Sequence, residues 1–139
     1  MATWEDVRRI AGALPEVVET NGSWRERGKP VGWERPLRRS DYEALGEAAP
    51  EGPILGVRTP DVGVKEALIS DAPDVFFTTP HFDGYPAVLV DLDAASVEDL
   101  EEVILEAWAA QAPKASLQGV PGRAWPRLDA PLFRGGSSP

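Results

Sequence analysis

Cysteine is absent from the 139 residues, which excludes disulfides, thiolate nucleophiles and cysteine-based zinc sites. His81 is the single histidine, so neither a Ser-His-Asp triad nor a histidine-based metal site can be assembled from this chain alone. No glycine-rich loop of the phosphate-binding kind joins a predicted strand to a predicted helix. We therefore expect no catalytic residues, no cofactor and no metal ligands, and we interpret the chain as a non-enzyme.

Long apolar runs are missing as well. Runs such as Ala87–Val90 are far shorter than the roughly 20 apolar residues that a helix needs to cross a bilayer. A helix cap predicted at Thr3 leaves no room for an export signal after Met1. We expect a cytoplasmic protein without membrane contact, built as one domain over 1–115 and a Pro/Gly-rich tail over 116–139.

Positive charge is scarce and unevenly placed. The net charge is −9, and residues 61–106 hold twelve acids against Lys65 alone. The segment Arg25–Arg39 is the exception, because its six cations accompany only two acids. The overall charge opposes approach to nucleic acid, whereas the local basic segment is suited to phosphate contacts.

Apolar spacing, caps and turn residues predict a fixed order of helices and strands. The predicted elements are a helix over 3–14, a hairpin of 23–27 and 31–35, a short helix over 40–45, a strand over 54–58, a helix over 64–70, a hairpin of 76–82 and 85–92, and a closing helix after Ser96. The closing helix carries an apolar stripe at helical spacing, formed by Leu100, Val103, Ile104, Ala107 and Trp108. This mixture predicts an α+β fold.

The first predicted hairpin turns at Gly28-Lys29, with the glycine supplying the positive φ of a type II′ turn. That register pairs Trp24 with Trp33 on one face of the hairpin, which we expect to be buried. Arg25 and Arg27 then point to the opposite, solvent-exposed face.

The second predicted hairpin turns at Asp83-Gly84, a dipeptide that strongly favours a tight turn between two strands. In this register Phe77 shares one face with Val88, Val90 and Leu92. We expect that face to be buried.

Three segments carry a resemblance to a known family. They are Thr3–Ile10 with Ala13-Leu14-Pro15, the run Val75–Val90 (VFFTTPHFDGYPAVLV), and Ala107–Lys114. Together they resemble the MmcQ/YjbR family over residues 3 to about 115. The resemblance implies a frataxin/CyaY-like fold, with the N-terminal and C-terminal helices packed on one face of an antiparallel sheet. It also implies DNA binding through a double-wing pair of hairpins, and the stretch Pro36–Pro53 departs from the family pattern as an insertion.

The wing interpretation assigns two sets of residues to DNA. The phosphate-contacting set is Arg25, Arg27, Lys29, Arg35, Arg38 and Arg39, and the tip of the second wing is His81, Phe82 and Tyr85, whose rings can stack or wedge. The alternative for the cations is a solvated edge hairpin with Arg/Glu pairs that prevents edge-to-edge association. The alternative for Phe82 and Tyr85 is that their side chains pack in the core.

An acidic row on the closing helix supports a different function. Glu98, Glu102 and Glu106 follow one another at i, i+4 and i+8, and therefore align on one helix face. Frataxin-like proteins bind iron along an acidic ridge, which makes a metal-binding or protein-interaction module the alternative function. The other interpretation is the solvated side of an amphipathic helix.

The predicted tail allows a test by truncation. A chain ending after Gly119 should melt at nearly the same temperature as the full chain, because a Pro/Gly-rich segment offers few backbone hydrogen bonds. Thermal unfolding followed by circular dichroism compares the two chains. A large drop in Tm would instead show that Trp125 or Phe133 docks on the domain.

Overall fold

The computed structural model describes residues 1–111, and the predicted tail at 116–139 lies outside this range. Six antiparallel strands form one sheet in the order β1-β2-β3-β4-β6-β5. The elements are α1 (Trp4–Gly12), β1 (Val17–Thr20), β2 (Ser23–Glu26), β3 (Lys29–Glu34), α2 (Arg39–Leu45), β4 (Ile54–Arg58), α3 (Val62–Asp71), β5 (Phe76–Phe77), β6 (Ala87–Asp91) and α4 (Val97–Gln111), with 3-10 turns at Gly46–Ala48 and Pro80–Phe82. The α+β class is confirmed.

The terminal helices begin at well-formed caps. The Thr3 backbone N–H donates to the Asp6 carboxylate at 2.9 Å, and the Asp6 N–H donates back to the Thr3 hydroxyl at 3.3 Å. Ser96 and Asp99 form the same reciprocal pair before α4, at 3.1 and 3.0 Å. Such capping boxes satisfy N–H groups that have no partner inside the helix.

Helices α1 and α4 pack together on one face of the sheet. Ala11 of α1 and the predicted apolar stripe of α4 are buried in a core that also contains Trp24, Leu55 and Val88. The indole N–H of Trp108 donates to the Pro15 carbonyl at 2.9 Å and ties α4 to the end of α1. This arrangement agrees with the predicted packing of the terminal helices. No helix within residues 1–111 is long and apolar enough to cross a membrane.

The turn of the first predicted hairpin lies one residue earlier than the sequence suggests. Arg27 and Gly28 have φ values of 53° and 84°, so both central residues are left-handed, as type I′ turns require. Glu26 therefore pairs with Lys29, and Gly28-Lys29 is not the turn. The left-handed conformation is energetically unfavourable for Arg27, but the type I′ turn that it forms matches the twist of the two strands.

The predicted pairing of Trp24 with Trp33 is wrong. With the earlier turn and a bulge between Trp24 and Arg25, Trp24 lies opposite Gly32, and Trp33 lies opposite Ser23. Trp24 stacks on Trp4 of α1, with ring centroids 6.3 Å apart, whereas Trp33 packs on the other face of the sheet. The predicted exposure of Arg25 and Arg27 is confirmed.

Strand β1 extends the sheet beyond this hairpin and was not predicted as a paired strand. It joins β2 through Asn21-Gly22, whose φ values of 51° and 75° again fit a type I′ turn. The Asn-Gly dipeptide is the signal in the sequence that could have identified it.

The second predicted hairpin is a longer loop. Strand β5 contains Phe76 and Phe77 alone, and residues 78–86 include a 3-10 turn before β6 begins. Pro80 and Pro86 have no backbone N–H to donate to a neighbouring strand, which explains why the pairing of β5 with β6 does not extend into this loop. Phe77 pairs with Leu89, on the face opposite to the one predicted for it.

The face of the sheet away from α1 and α4 is also covered. Its core consists of Ile54, Phe82, Ala87 and Leu89, with Trp33, Leu37 and Phe77 packed around them. The connection 36–53, which the sequence marks as an insertion, and the loop 78–86 contribute residues to this layer. The connection contributes Leu37 to this layer, and the loop contributes Phe82.

A buried ion pair anchors the insertion. Arg35 and Asp41 are 6% and 2% exposed, and their side chains meet at 3.0 Å. Asp41 also accepts from the Arg38 backbone N–H at 2.8 Å. Burial raises the pKa of Asp41, but the Arg38 N–H and the Arg35 guanidinium outweigh this effect, so the pKa lies below its usual value.

A buried lysine anchors the loop 78–86. Lys65 of α3 is 4% exposed, and its ammonium donates to the carbonyl of Phe82 at 2.6 Å and to that of Tyr85 at 3.0 Å. Burial lowers the pKa of Lys65, and the charges of Asp83 and Glu66 offset part of this effect. The position of the loop is therefore fixed by α3.

The Asp41→Asn variant tests the buried ion pair. It should lose about 3–5 kcal/mol of stability, because the Arg35 charge stays buried without its partner. Since the folded pKa of Asp41 is lowered, its contribution is present above the ordinary aspartate value of about 4 and is lost as the pH falls through the lowered folded value. Urea unfolding from neutral to acid pH measures both effects.

The matched control for this variant is Glu43→Gln. It breaks the exposed Arg39–Glu43 pair, whose groups are 3.9 Å apart, and should cost no more than about 0.5 kcal/mol. Equal losses in the two variants would contradict the structural role of the buried pair.

The Lys65→Met variant tests the loop anchor. It should lose about 1–3 kcal/mol, because two charge-assisted hydrogen bonds disappear. The lowered pKa means that the unfolded chain binds the proton more tightly than the folded one. The stability of the parent relative to the variant should therefore rise as the pH increases toward the ordinary lysine value of 10.5. A pH-independent difference in urea unfolding would contradict this account.

Candidate nucleic-acid interface

The β1–β2 turn, the β2–β3 hairpin and the loop 78–86 line one cleft of about 820 Å³. The β1–β2 turn and the β2–β3 hairpin contribute Asn21, Gly22, Ser23, Arg25, Pro30, Trp33 and Glu34, and the loop 78–86 contributes His81, Phe82, Asp83, Gly84 and Tyr85. Of these residues, the sequence singled out Arg25 for the first wing and His81, Phe82 and Tyr85 for the tip of the second. The structure brings them together as the lining of a single site.

Aromatic rings line the cleft around Phe82. Its ring centroid lies 6.5 Å from that of Trp33, 6.3 Å from that of Tyr85 and 4.8 Å from that of His81, which meets it edge-on. Phe82 is 7% exposed and belongs to the core, whereas Tyr85 is 41% exposed and His81 is exposed as well. The core alternative thus holds for Phe82, and the other two rings remain accessible.

Trp33 lies across the neighbouring strand at Gly56. A Cβ at position 56 would come within 2.5 Å of the indole Nε1, which real side chains do not allow. Glycine at this position therefore lets the indole rest on the backbone of β4. The sequence gives no local signal for this contact, because it depends on the pairing of β3 with β4.

Arg58 is a cation beside the cleft that the sequence did not single out. Its guanidinium lies over the Tyr85 ring, 5.3 Å from the centroid, and its Nε is buried without a hydrogen-bond partner. Such a cation–π contact favours one orientation of the Tyr85 ring.

Three of the six predicted phosphate-contacting cations are exposed in the β2–β3 hairpin. Arg25 lines the cleft and donates to the Gly28 carbonyl at 3.0 Å, and Lys29 follows the turn. Arg27 lies 3.2 Å from the carboxylate of Glu26, which is fully buried and accepts no hydrogen bond. The alternative of a solvated edge hairpin with Arg/Glu pairs is wrong, because β1 forms the edge of the sheet beyond β2 and Glu26 is buried.

The other three cations lie beyond the hairpin, and none of them lines the cleft. Arg35 is buried in its pair with Asp41 and is also 5.3 Å from the Phe82 ring centroid, so its burial removes it from the set of exposed cations. Arg38 and Arg39 are exposed at the start of α2. Because Arg35 is internal, the six cations do not form one continuous exposed surface.

The acidic row on α4 is only partly exposed. Glu98 and Glu102 are exposed, Glu106 is half-buried, and Glu102 and Glu106 each have interaction partners. Within residues 1–111 no group of three or more His, Asp or Glu side chains is placed to hold a metal ion.

Comparison with known proteins identifies three relatives in mycobacteria. They are the uncharacterised proteins Rv2570 and MT2646 of Mycobacterium tuberculosis and Mb2600 of Mycobacterium bovis, each 59% identical over 122 residues, covering 85% of this chain and 95% of the relative. No family model matches the chain. No solved structure matches it either. At this identity and coverage, the chain belongs to the same family as these mycobacterial proteins.

Proposed function

We propose that the chain is a weak DNA-binding module, and not an enzyme, whose contact surface is the cleft together with the β2–β3 hairpin beside it. The observation that supports the proposal is that Arg25 lines the same cleft as His81, Phe82 and Tyr85. The resemblance to the MmcQ/YjbR family supports the same function.

The hairpin supplies the phosphate contacts. Arg25 and Lys29 are exposed, and no carboxylate within residues 1–111 forms an ion pair with either. Arg27 also adds positive charge, although its guanidinium already lies beside Glu26. The overall charge of −9 opposes the approach of DNA. We therefore expect an affinity no better than the range of about 10⁻⁴ to 10⁻⁶ M that nonspecific contacts give at physiological salt.

The cleft supplies contacts to bases. The rings of Trp33, His81 and Tyr85 offer faces or edges on which an unstacked base can pack. Its volume of about 820 Å³ falls within the range of ordinary ligand sites, about 300–1,000 Å³, and leaves space for one base with its sugar. A base inside a duplex cannot enter such a cleft without unpairing, so we expect single-stranded DNA to bind more tightly than duplex.

The double variant Arg25→Ala/Lys29→Ala tests this proposal. Each lost phosphate contact should reduce the slope of log K against log salt by about 0.7 for a single strand. Fluorescence anisotropy of a labelled thymidine oligomer, titrated at salt concentrations between about 50 and 200 mM, measures affinity and slope. Arg27 is left unchanged because its removal would isolate the buried Glu26 carboxylate.

The matched control is Arg8→Ala/Arg9→Ala, which removes the same charge from the exposed face of α1. Both arginines take part in exposed ion pairs, so their loss should change stability little. The control should keep the parental salt slope. Equal losses of affinity in both double variants would mean that only net charge matters, and an absence of binding by the parent at low salt would rule out the proposed function.

A further inference from the structure

The sheet face that borders the cleft continues beyond it, across β2 to the edge strand β1. Thr20, Ser23 and Trp33 form one row on successive strands, because Thr20 pairs with Ser23 and Ser23 pairs with Trp33. Side chains of directly paired residues share a face of the sheet. The row therefore lies on the side where Trp33 packs, away from α1 and α4.

A second row runs beside the first on the same face. Val18 pairs with Arg25, and Arg25 pairs with Pro30. Arg25 alternates along β2 with the buried Trp24 and lines the cleft together with Trp33, which places its row on the cleft side. Val18 is 63% exposed. The edge of this face is therefore open to solvent and carries an apolar side chain.

The carboxylates of β1, β2 and β3 all belong to the opposite face. Each lies opposite a residue that packs in or against the core beneath α1 and α4: the pairs are Glu19–Trp24, Glu26–Val17 and Glu34–Leu55. Glu19 also lies 3.7 Å from Arg8 of α1. On the cleft side, these three described strands therefore carry the Arg25 cation and no carboxylate. This separation of charge makes the cleft side suitable for a polyanion.

The loop 78–86 forms the other wall of the cleft and carries a charge of the opposite sign. Asp83 lines the cleft on this wall, and its carboxylate repels phosphate. A strand with a base in the cleft therefore meets an acid on the side of the loop. On the side of β2 it meets the Arg25 cation and the hydroxyls of Ser23 and Thr20.

We propose that single-stranded DNA leaves the cleft across the open face of β2 and β1, an inference that rests on the proposed function. The hydroxyls of Ser23 and Thr20 donate to phosphate oxygens along this path, and the Arg25 guanidinium beside them neutralises phosphate charge. Val18 packs against the sugar or base that follows. The cleft and the face of β1 and β2 thus act as one continuous site.

A second copy of the chain fits this face less well than a polyanion does. Isologous docking brings the same patch of two copies together. Arg25 lies between Val18 and Pro30 in the patch, so each copy would bring this cation close to its counterpart. Like charges repel at short range. The central cation therefore favours DNA as the occupant.

Two variants of adjacent residues on β1 test this path. Val18→Lys and Glu19→Gln each raise the net charge by one, but on opposite faces of the same strand. Both side chains are exposed, so both variants should fold like the parent. With a labelled thymidine hexamer, Val18→Lys should add a phosphate contact and steepen the slope of log K against log salt by about 0.7. Its gain in affinity should then shrink about 2.6-fold between about 50 and 200 mM salt, measured by fluorescence anisotropy. Glu19→Gln should keep the parental slope.

The length of the oligomer separates this path from a general effect of charge. Neighbouring strands lie about 4.8 Å apart, so the row from Trp33 to Thr20 spans about 10 Å. Contact with β1 therefore needs nucleotides beyond the one in the cleft. A thymidine dinucleotide, titrated in competition with the labelled hexamer, should bind Val18→Lys and the parent equally.

Equal salt slopes for Val18→Lys and Glu19→Gln, or an equal gain for the dinucleotide and the hexamer, would overturn this inference and leave the proposed function standing. A parent dimer that Val18→Lys dissociates in analytical ultracentrifugation would do the same, because a second copy would then occupy the face. An absence of parental binding to every thymidine oligomer at low salt would overturn both.

Discussion

Strand β6 carries apolar side chains on both faces of the sheet, and each face must be kept from water. Val88 and Val90 point to the side of α1 and α4, while Ala87 and Leu89 point to the other side, and all four are buried. Two helices can cover only one of these faces. The other face is covered by two segments without long helices, the connection 36–53 and the loop 78–86. The cleft forms where the loop 78–86 meets the β2–β3 hairpin.

Irregular segments can serve as a cover only if their polar groups find partners. Arg35 and Asp41 neutralise each other inside the connection, and Lys65 satisfies carbonyls of the loop. Such buried charges are a weak source of net stability, but removing one partner is costly. Their value here is positional, since each fixes a segment whose backbone lacks a ladder of hydrogen bonds. The aromatic lining of the cleft depends on both anchors, because Phe82 contacts Arg35 and also accepts from Lys65.

Elements determined by local chemistry could be predicted from the sequence. The caps at Thr3 and Ser96, the apolar stripe of α4 and the bounds of β4 all follow from neighbouring residues. The register of the first hairpin was wrong by one residue, because the left-handed position fell on Arg27 as well as on glycine.

The candidate site could be predicted only in part. His81, Phe82, Tyr85 and Arg25 were identified, but their convergence depends on strand order, which no local pattern specifies. Lys65 was missed as a structural residue, although it is the single cation among the acids of 61–106, a signal that it has a specific partner. Trp33 and Glu34 were not assigned to the site, because the predicted register placed Trp33 on the wrong face.

The two hydrogen bonds of Lys65 have a consequence for the thermodynamics of ligand binding. A single bond would leave the loop free to pivot, but bonds to the carbonyls of residues 82 and 85 restrain both its displacement and its rotation. The turn between them, Asp83-Gly84, is therefore ordered before any ligand arrives. A ligand that bound in the cleft as proposed would therefore not bear the entropy loss of ordering this loop.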